Sequence, residues 1–278
     1  MIRKFRIIMT RVSRALTRSG LPDIDYALNP YMGCSHGCIY CYARLYTRNK
    51  EISENWGMVV AVKENIVDLV KREARFTPKG VVGVSTITDP YQPVEAIYKL
   101  TRRSIEILLE HGFHVSLQTK STLILRDLDL LLRHRDRVDV GFTITTLNTR
   151  ISSFIEPSSP PPPARVEALK RIAEKGIETW IFYGPVIPGL NSDVETIERI
   201  LQIAYTTGSK VLVDPLRVKY FMLEHVHPLY RYALATRAFD WDLFYKRVFE
   251  LCREKGVECI KGFAEPSSPP TLDRYMKT

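Results

Sequence analysis

At 278 residues, with 45% hydrophobic and 26% charged positions, the chain can bury a large core and needs no more than one α/β domain. No run of about 18 uninterrupted apolar residues occurs. The start MIRKFRIIMTRVSR lacks the apolar stretch of a secretory signal, so a cytoplasmic protein with no membrane partner is expected. The net charge of +9 is uneven, because Arg3, Lys4, Arg6, Arg11, Arg14 and Arg18 fall within residues 1–20 without an acid, and removing those six leaves +3. Such a basic arm suits nucleic-acid phosphates or an anionic surface, and equally a solvated terminus.

Beyond the arm, 25–28 reads as a short strand, broken by Asn29-Pro30 just before a cysteine loop. A strand over 58–62 and a helix over 64–74 follow. Strands are then expected at 81–88, 114–119, 138–145, 179–183 and 210–214, with helices at 97–111, 123–134, 165–175 and 193–206 between them. The alternation implies parallel strands wound right-handedly into a partial or full (β/α) barrel, whose ligands gather at the strands' C-terminal ends. Pro157–Pro163 and Glu265–Pro270 read as stiff connectors, and a helix at 242–255 and a strand at 257–260 close the chain. This gives an arm over 1–20, a barrel core over 21–217, and a C-terminal helical extension over 218–278 that completes the same domain.

Cys34, Cys38 and Cys41 lie within eight residues, in NPYMGCSHGCIYCYAR. On a helix they would form a buried stripe, but Pro30, Gly33 and Gly37 argue for a loop whose backbone wraps a bound object. Zinc is open through a Cys₃His set that includes His36, although His36 lies two residues from both Cys34 and Cys38 and would strain the loop. Iron–sulfur is the better reading, because a cubane held by three cysteines keeps one iron open. Five cysteines, three of them within eight residues, are poor material for a disulfide framework, and Cys252 and Cys259 read as buried apolar residues ahead of a hydrogen donor or ligands of a second cluster.

The C-x3-C-x2-C spacing, with Tyr40 and Tyr42 flanking the third cysteine, resembles the radical S-adenosylmethionine superfamily. The resemblance implies a [4Fe–4S] cluster, S-adenosylmethionine on its open iron, a flavodoxin- or ferredoxin-type electron donor, and hydrogen abstraction by a 5′-deoxyadenosyl radical. STITDPYQPVE (Ser85–Glu95) narrows it to the spore photoproduct lyase-like, or DNA repair photolyase-like, group, over about Ala15 to Leu216. That group places Thr88 and Asp89 near the cofactor amine, the alternative being a helix cap. It places Lys120 on the cofactor carboxylate, where a merely solvated lysine is the other reading.

Thr143 and Thr145 are candidates for further hydroxyl contacts, or are ordinary strand formers. Glu156-Pro157 and Arg165 match a pair common in the group, and the loop Tyr183–Asn191, including Pro188, fits one that passes the adenine. Thr86 departs from the pattern, since spore photoproduct lyases carry a hydrogen-donating cysteine there, so a typical lyase of that kind is not expected. Tyr220, Phe221, His225, His227, Tyr230 and Arg231 line a substrate entrance or form a core-facing helix. The substrate stays open between a nucleic acid and a protein or small metabolite. A non-catalytic zinc or iron–sulfur module is the third reading.

Overall fold

The computed structural model describes residues 5–262. In chain order the elements are β1 (Arg6–Thr10), β2 (Leu16–Arg18), β3 (Tyr26–Leu28), β4 (Tyr31–Met32), α1 (Lys50–Glu54), β5 (Val59–Lys63), α2 (Ile66–Glu73), β6 (Val81–Val84), α3 (Glu95–Tyr98), α4 (Leu100–Glu110) and β7 (His114–Thr119). Then come α5 (Leu128–Arg133), β8 (Val138–Thr143), α6 (Thr149–Ile155), α7 (Pro162–Ala173), β9 (Glu178–Val186), α8 (Val194–Thr207), β10 (Lys210–Pro215), α9 (Tyr230–Arg237), α10 (Trp241–Lys255) and β11 (Cys259–Lys261). The main sheet has eight strands in the order β11-β10-β9-β8-β7-β6-β3-β2. Every pairing from β3 to β11 is parallel, and only β2 runs antiparallel to its neighbour.

The expected α/β class with a parallel sheet is therefore present, in its open form: β2 and β11 are edges that do not pair with each other. In β7 the burial alternates, with Val115, Leu117 and Thr119 under the helices and His114, Ser116 and Gln118 half-buried on the other face. A sheet covered fully on both faces would not alternate in this way. On that second face Asp139 accepts hydrogen bonds from Ser116 and Trp180, and its other oxygen lies 2.8 Å from His114 Nε2.

The structure differs from expectation in several places. Most of the 1–20 segment is not a free arm. β1 pairs in parallel with β5, and β2 pairs with β3, so the alternating apolar side chains between the arginines are sheet residues. Arg3 and Lys4 lie outside the described residues, as does Glu265–Pro270. Pro162 and Pro163 open α7 rather than extend a connector, because proline at the first helical turn sacrifices no intrahelical bond. Lys99, in the left-handed conformation, splits the expected 97–111 helix into α3 and α4. Cys252 is buried as expected, yet it is disulfide-bonded to Cys259, which ties the end of α10 to the edge strand β11. Their separation of seven residues brings the Cα atoms to 6.2 Å once the chain reverses at Gly256, and local spacing alone does not foretell that reversal.

Candidate functional site

The cysteine loop leaves the short strand β4 and passes the C-terminal end of β6. Gly33 and Gly37 both adopt positive φ, as the tight wrapping expected of them requires. A Cβ on Gly33 would lie 2.7 Å from the Val59 carbonyl oxygen and 2.7 Å from Ile52, so no side chain fits. Cys34 and Cys38 are buried, Cys41 is half-buried, and all three thiols are free.

Two walls hold this loop. On the β6 side, Thr88 Oγ1 donates to the Gly33 carbonyl at 2.6 Å, and the fully buried Gln92 bridges Gly33, Ser35 and Thr88. Three residues later Glu95 accepts the Tyr31 hydroxyl at 2.5 Å, and so anchors the strand that feeds the loop. On the opposite side Ile39 N–H donates to the Ile155 carbonyl and Ser158 N–H to that of His36, while the Tyr40 hydroxyl donates to Glu156.

Glu156 is the electrostatic centre of that second wall. Its carboxylate meets Arg165 Nη2 at 2.5 Å and Lys120 Nζ at 3.9 Å, and both Glu156 and Arg165 are without exposed side-chain surface. Burial alone would raise the Glu156 pKa; the charges of Arg165 and Lys120 and the Tyr40 hydroxyl reverse that and hold it below the usual value. Burial would likewise lower Lys120, but Cys38 and Glu156 raise it, so the residue is a firm cation, 5.8 Å above the centre of the Tyr40 ring.

Asp89 is buried beside His36, with Nδ1 to Oδ2 at 3.4 Å, and accepts from Thr119 Oγ1, Lys120 N–H and Tyr91 N–H. Burial would raise its pKa, yet His36 and these donors bring it down to about 2. His36 is correspondingly raised to about 10: burial opposes this, and Asp89 and Cys34 outweigh it. Burial, then neighbouring Cys34, pushes Cys41 up to about 11, and burial raises Cys38 further. Loading a metal on these thiols would therefore release protons.

The remaining candidates lie at the ends of β8 and β9. Thr143 is buried, with its hydroxyl accepting from Gln118 and its carbonyl from Arg165. Thr145 is buried with no partner for its hydroxyl, while its carbonyl accepts from Asn191 Nδ2 at 2.7 Å. Asn191 also bonds Ile187 N–H and the Pro185 carbonyl, and thereby fixes the turn that contains the buried Pro188. Tyr42 is 40% exposed, and its hydroxyl donates to the Thr86 carbonyl at 3.2 Å. Phe221 belongs to a core cluster packed on Ile39 and Tyr40, with Arg44 over its ring, whereas Tyr220 is exposed. Phe221 thus faces the core and Tyr220 the solvent.

Thr88, Asp89 and Lys120 are brought against the cysteine loop that carries Tyr40, Tyr42 faces Thr86 outside it, Thr143 reaches the loop's second wall through Arg165 and Glu156, and Thr145 and Pro188 are gathered around Asn191. Sequence reasoning missed Gln92, Glu95 and Asn191 as organisers. The one available signal was polar residues set among prolines and apolar neighbours in YQPVE and IPGLN.

The donor set fits an iron–sulfur cluster. The sequence has five cysteines, two are bonded to each other, and three remain free. No fourth cysteine of this chain is left for the last iron of a cubane. His36 is turned to Asp89, with Nδ1 3.4 Å from Oδ2. Buried hydroxyls without partners at Ser35, Ser85 and Thr145 mark polar positions on the loop and at the ends of β6 and β8.

Comparison with known proteins agrees with this geometry. An uncharacterised protein of Methanocaldococcus jannaschii is 37% identical over 194 residues, covering 70% of this chain and 72% of its own. A radical SAM Nα-GlyT isomerase of Pseudomonas phage M6 is 24% identical over 253 residues, covering 89% of this chain and 50% of its own. Among solved structures, spore photoproduct lyase complexed with dinucleoside spore photoproduct superposes with a TM-score of 0.65 at 14% identity, covering 92% of this chain and 82% of that one. A radical SAM methyltransferase from Sphaerobacter thermophilus gives 0.61 at 18% identity, over 88% and 68%. The model of the radical SAM superfamily matches residues 28–202, from the end of β3 to α8, and the chain belongs to that superfamily.

Proposed function

We propose that the chain holds a [4Fe–4S] cluster on Cys34, Cys38 and Cys41, binds S-adenosylmethionine beside it, and acts on a nucleic acid as a repair or modifying enzyme. The observation that carries the cofactor half is the cysteine inventory: three free thiols on a doubly walled loop, with the other two withdrawn into a disulfide. The cluster, when bound, supplies the electron that splits S-adenosylmethionine into methionine and a hydrogen-abstracting 5′-deoxyadenosyl radical, and a flavodoxin- or ferredoxin-type donor must replenish it.

The chain's own residues bind, orient and exclude water. Lys120 is the counter-charge for the methionyl carboxylate, and Asp89 is the anion offered to the amine. The Asn191-fixed turn with Pro188 supplies an apolar wall for the adenine, and Thr143 and Thr145 supply polar contacts. Free loop thiols suit a reducing, cytoplasmic setting, and no described helix is long and apolar enough to cross a membrane.

The nucleic-acid half is supported by Arg11, Arg14 and Arg18, all exposed, and by the likeness to a lyase solved with dinucleoside spore photoproduct. Thr86 separates this chain from the lyase reaction. A threonine hydroxyl is a far poorer hydrogen-atom donor than a thiol, so conversion of spore photoproduct to thymine monomers without side products is not expected.

Anaerobic reconstitution with iron and sulfide, then reduction with S-adenosylmethionine, is expected to release 5′-deoxyadenosine, and Cys38→Ala is expected to abolish it. Its absence from well-loaded wild-type protein overturns the enzymatic reading. For the substrate, deleting residues 1–20 would remove two sheet strands, so charge removal is the cleaner probe. Arg11→Gln, Arg14→Gln and Arg18→Gln together should flatten the salt dependence of duplex DNA binding by about 0.9 in log–log slope for each phosphate no longer neutralised. Wild-type protein without salt-dependent binding to DNA or RNA turns the substrate assignment toward a protein or small metabolite.

A further inference from the structure

We propose that Gln92 is the positioning residue for the Cys34 ligand, clamping the backbone on both sides of it from a separate part of the chain. The inference rests on the cluster assignment above and adds to it a residue outside the cysteine motif. Gln92 is fully buried and follows β6, 58 residues beyond Cys34 in sequence. Its Oε1 accepts the Ser35 N–H at 3.0 Å, while its Nε2 donates to the Gly33 carbonyl at 3.0 Å and to Thr88 Oγ1 at 2.8 Å. One side-chain amide thus pairs with the backbone acceptor before Cys34 and the backbone donor after it, as a neighbouring strand would.

The carboxamide has two N–H donors, and both are used. Thr88 completes the arrangement by donating its own hydroxyl hydrogen bond to the same Gly33 carbonyl at 2.6 Å. The clamp is itself fixed. Gln92 N–H reaches the Asp89 carbonyl, and Glu95 N–H reaches that of Gln92. The Glu95 carboxylate is held by Tyr31, by Arg126 Nη2 at 2.8 Å, and by the first amides of α4 at Thr101 and Arg102. Pro90 and Pro93 flank the segment and restrict it further.

The two halves of the cysteine loop are therefore held differently. The Cys38–Cys41 half is joined to Ile155 and Glu156 by the Ile39 N–H and the Tyr40 hydroxyl, and His36, between the halves, is held by Ser158 N–H and Asp89. The Cys34 half takes its orientation from Gln92 and Thr88, because Gly33, at φ +80°, has no side chain to restrain it. Without the amide, the Ser35 N–H is left buried and unpaired and the Gly33 carbonyl keeps only its bond from Thr88, so the backbone must turn to find a partner for the amide hydrogen. That turn carries the Cys34 thiol with it.

The test compares full-length wild-type, Gln92→Met and Thr88→Val. Thr88→Val removes one hydroxyl at constant volume, which guards against a Gln92→Met chain that fails to fold. In metal-free protein, hydrogen exchange at Ser35 and its neighbours should quicken at least tenfold in Gln92→Met and less in Thr88→Val, with residues 39–46 unchanged. After anaerobic reconstitution, Gln92→Met should lose iron to a chelator at least fivefold faster than wild type and show an altered reduced-cluster electron paramagnetic resonance signal.

Exchange and iron retention within twofold of wild type in both variants overturn the proposal, as does exchange that quickens equally across 31–46. If wild-type protein takes up no cluster, the cofactor assignment fails, and the exchange measurement by itself still decides whether Gln92 clamps the loop.

Discussion

Arg165→Met is expected to destabilise the fold by about 3–5 kcal/mol, read as a lowered denaturant midpoint. The Arg165 side chain has no exposed surface, and its guanidinium donates to the Pro160 carbonyl at 2.7 Å, the Thr143 carbonyl at 3.1 Å and Glu156. Methionine fills the space of the stem and removes the charge, which leaves the Glu156 carboxylate buried with only Tyr40, Ser152 and the more distant Lys120. In wild type the depressed Glu156 pKa contributes stability above its unfolded value, and that contribution is lost as pH falls through the folded value. In Arg165→Met the folded pKa moves upward, so the loss should be greatest at neutral pH and shrink toward acid. Adding Glu156→Gln removes the stranded charge, and the double variant should be more stable than the sum of the two single losses implies. A single variant within 1 kcal/mol of wild type would show that Glu156 is otherwise solvated.

Opening the Cys252–Cys259 disulfide is expected to cost about 2–3 kcal/mol, because the closed loop is short and the unfolded chain regains only modest freedom. The loss should be local. β11 has three residues, pairs among the described residues only with β10, and sits at the sheet edge, so Val211↔Cys259 and Leu212↔Ile260 should fray first. Cys252→Ser with Cys259→Ser should lower the unfolding midpoint to that of wild type in thiol reductant, and reductant should not shift the variant further. Labelling that finds five free thiols in the native, non-reduced chain would remove the bond and the prediction together.

The alternation of strands and helices was legible because parallel strands under helices are short apolar runs rich in β-branched residues; β7, β8 and β10 begin where the sequence puts them. β1 was hidden by its charges: RIIMT is a strand whose flanking arginines made it read as part of a solvated arm. α6 was overlooked in the run-up to the proline segment, although Asn148 caps it. In the candidate site, the three cysteines announce themselves by spacing. Gln92 and Asn191 do not, because each acts through partners supplied by other strands, and such pairings exist only after the sheet has formed. The disulfide escaped for a related reason, since the reversal at Gly256 that brings Cys259 back to Cys252 is specified by the fold of α10 against β11.

Gly37 and Gly57 touch backbone to backbone: a Cβ on Gly57 would come within 2.8 Å of the Gly37 Cα, and one on Gly37 within 3.2 Å of the Gly57 Cα. Both also hold positive φ. The two positions therefore cannot drift independently, for a side chain at either forces the chains apart just where the cysteine loop turns. In a saturation library randomised at both, survivors should be glycine at 37 and at 57 together, so that residues 20 apart in the chain behave under selection as a single inherited unit.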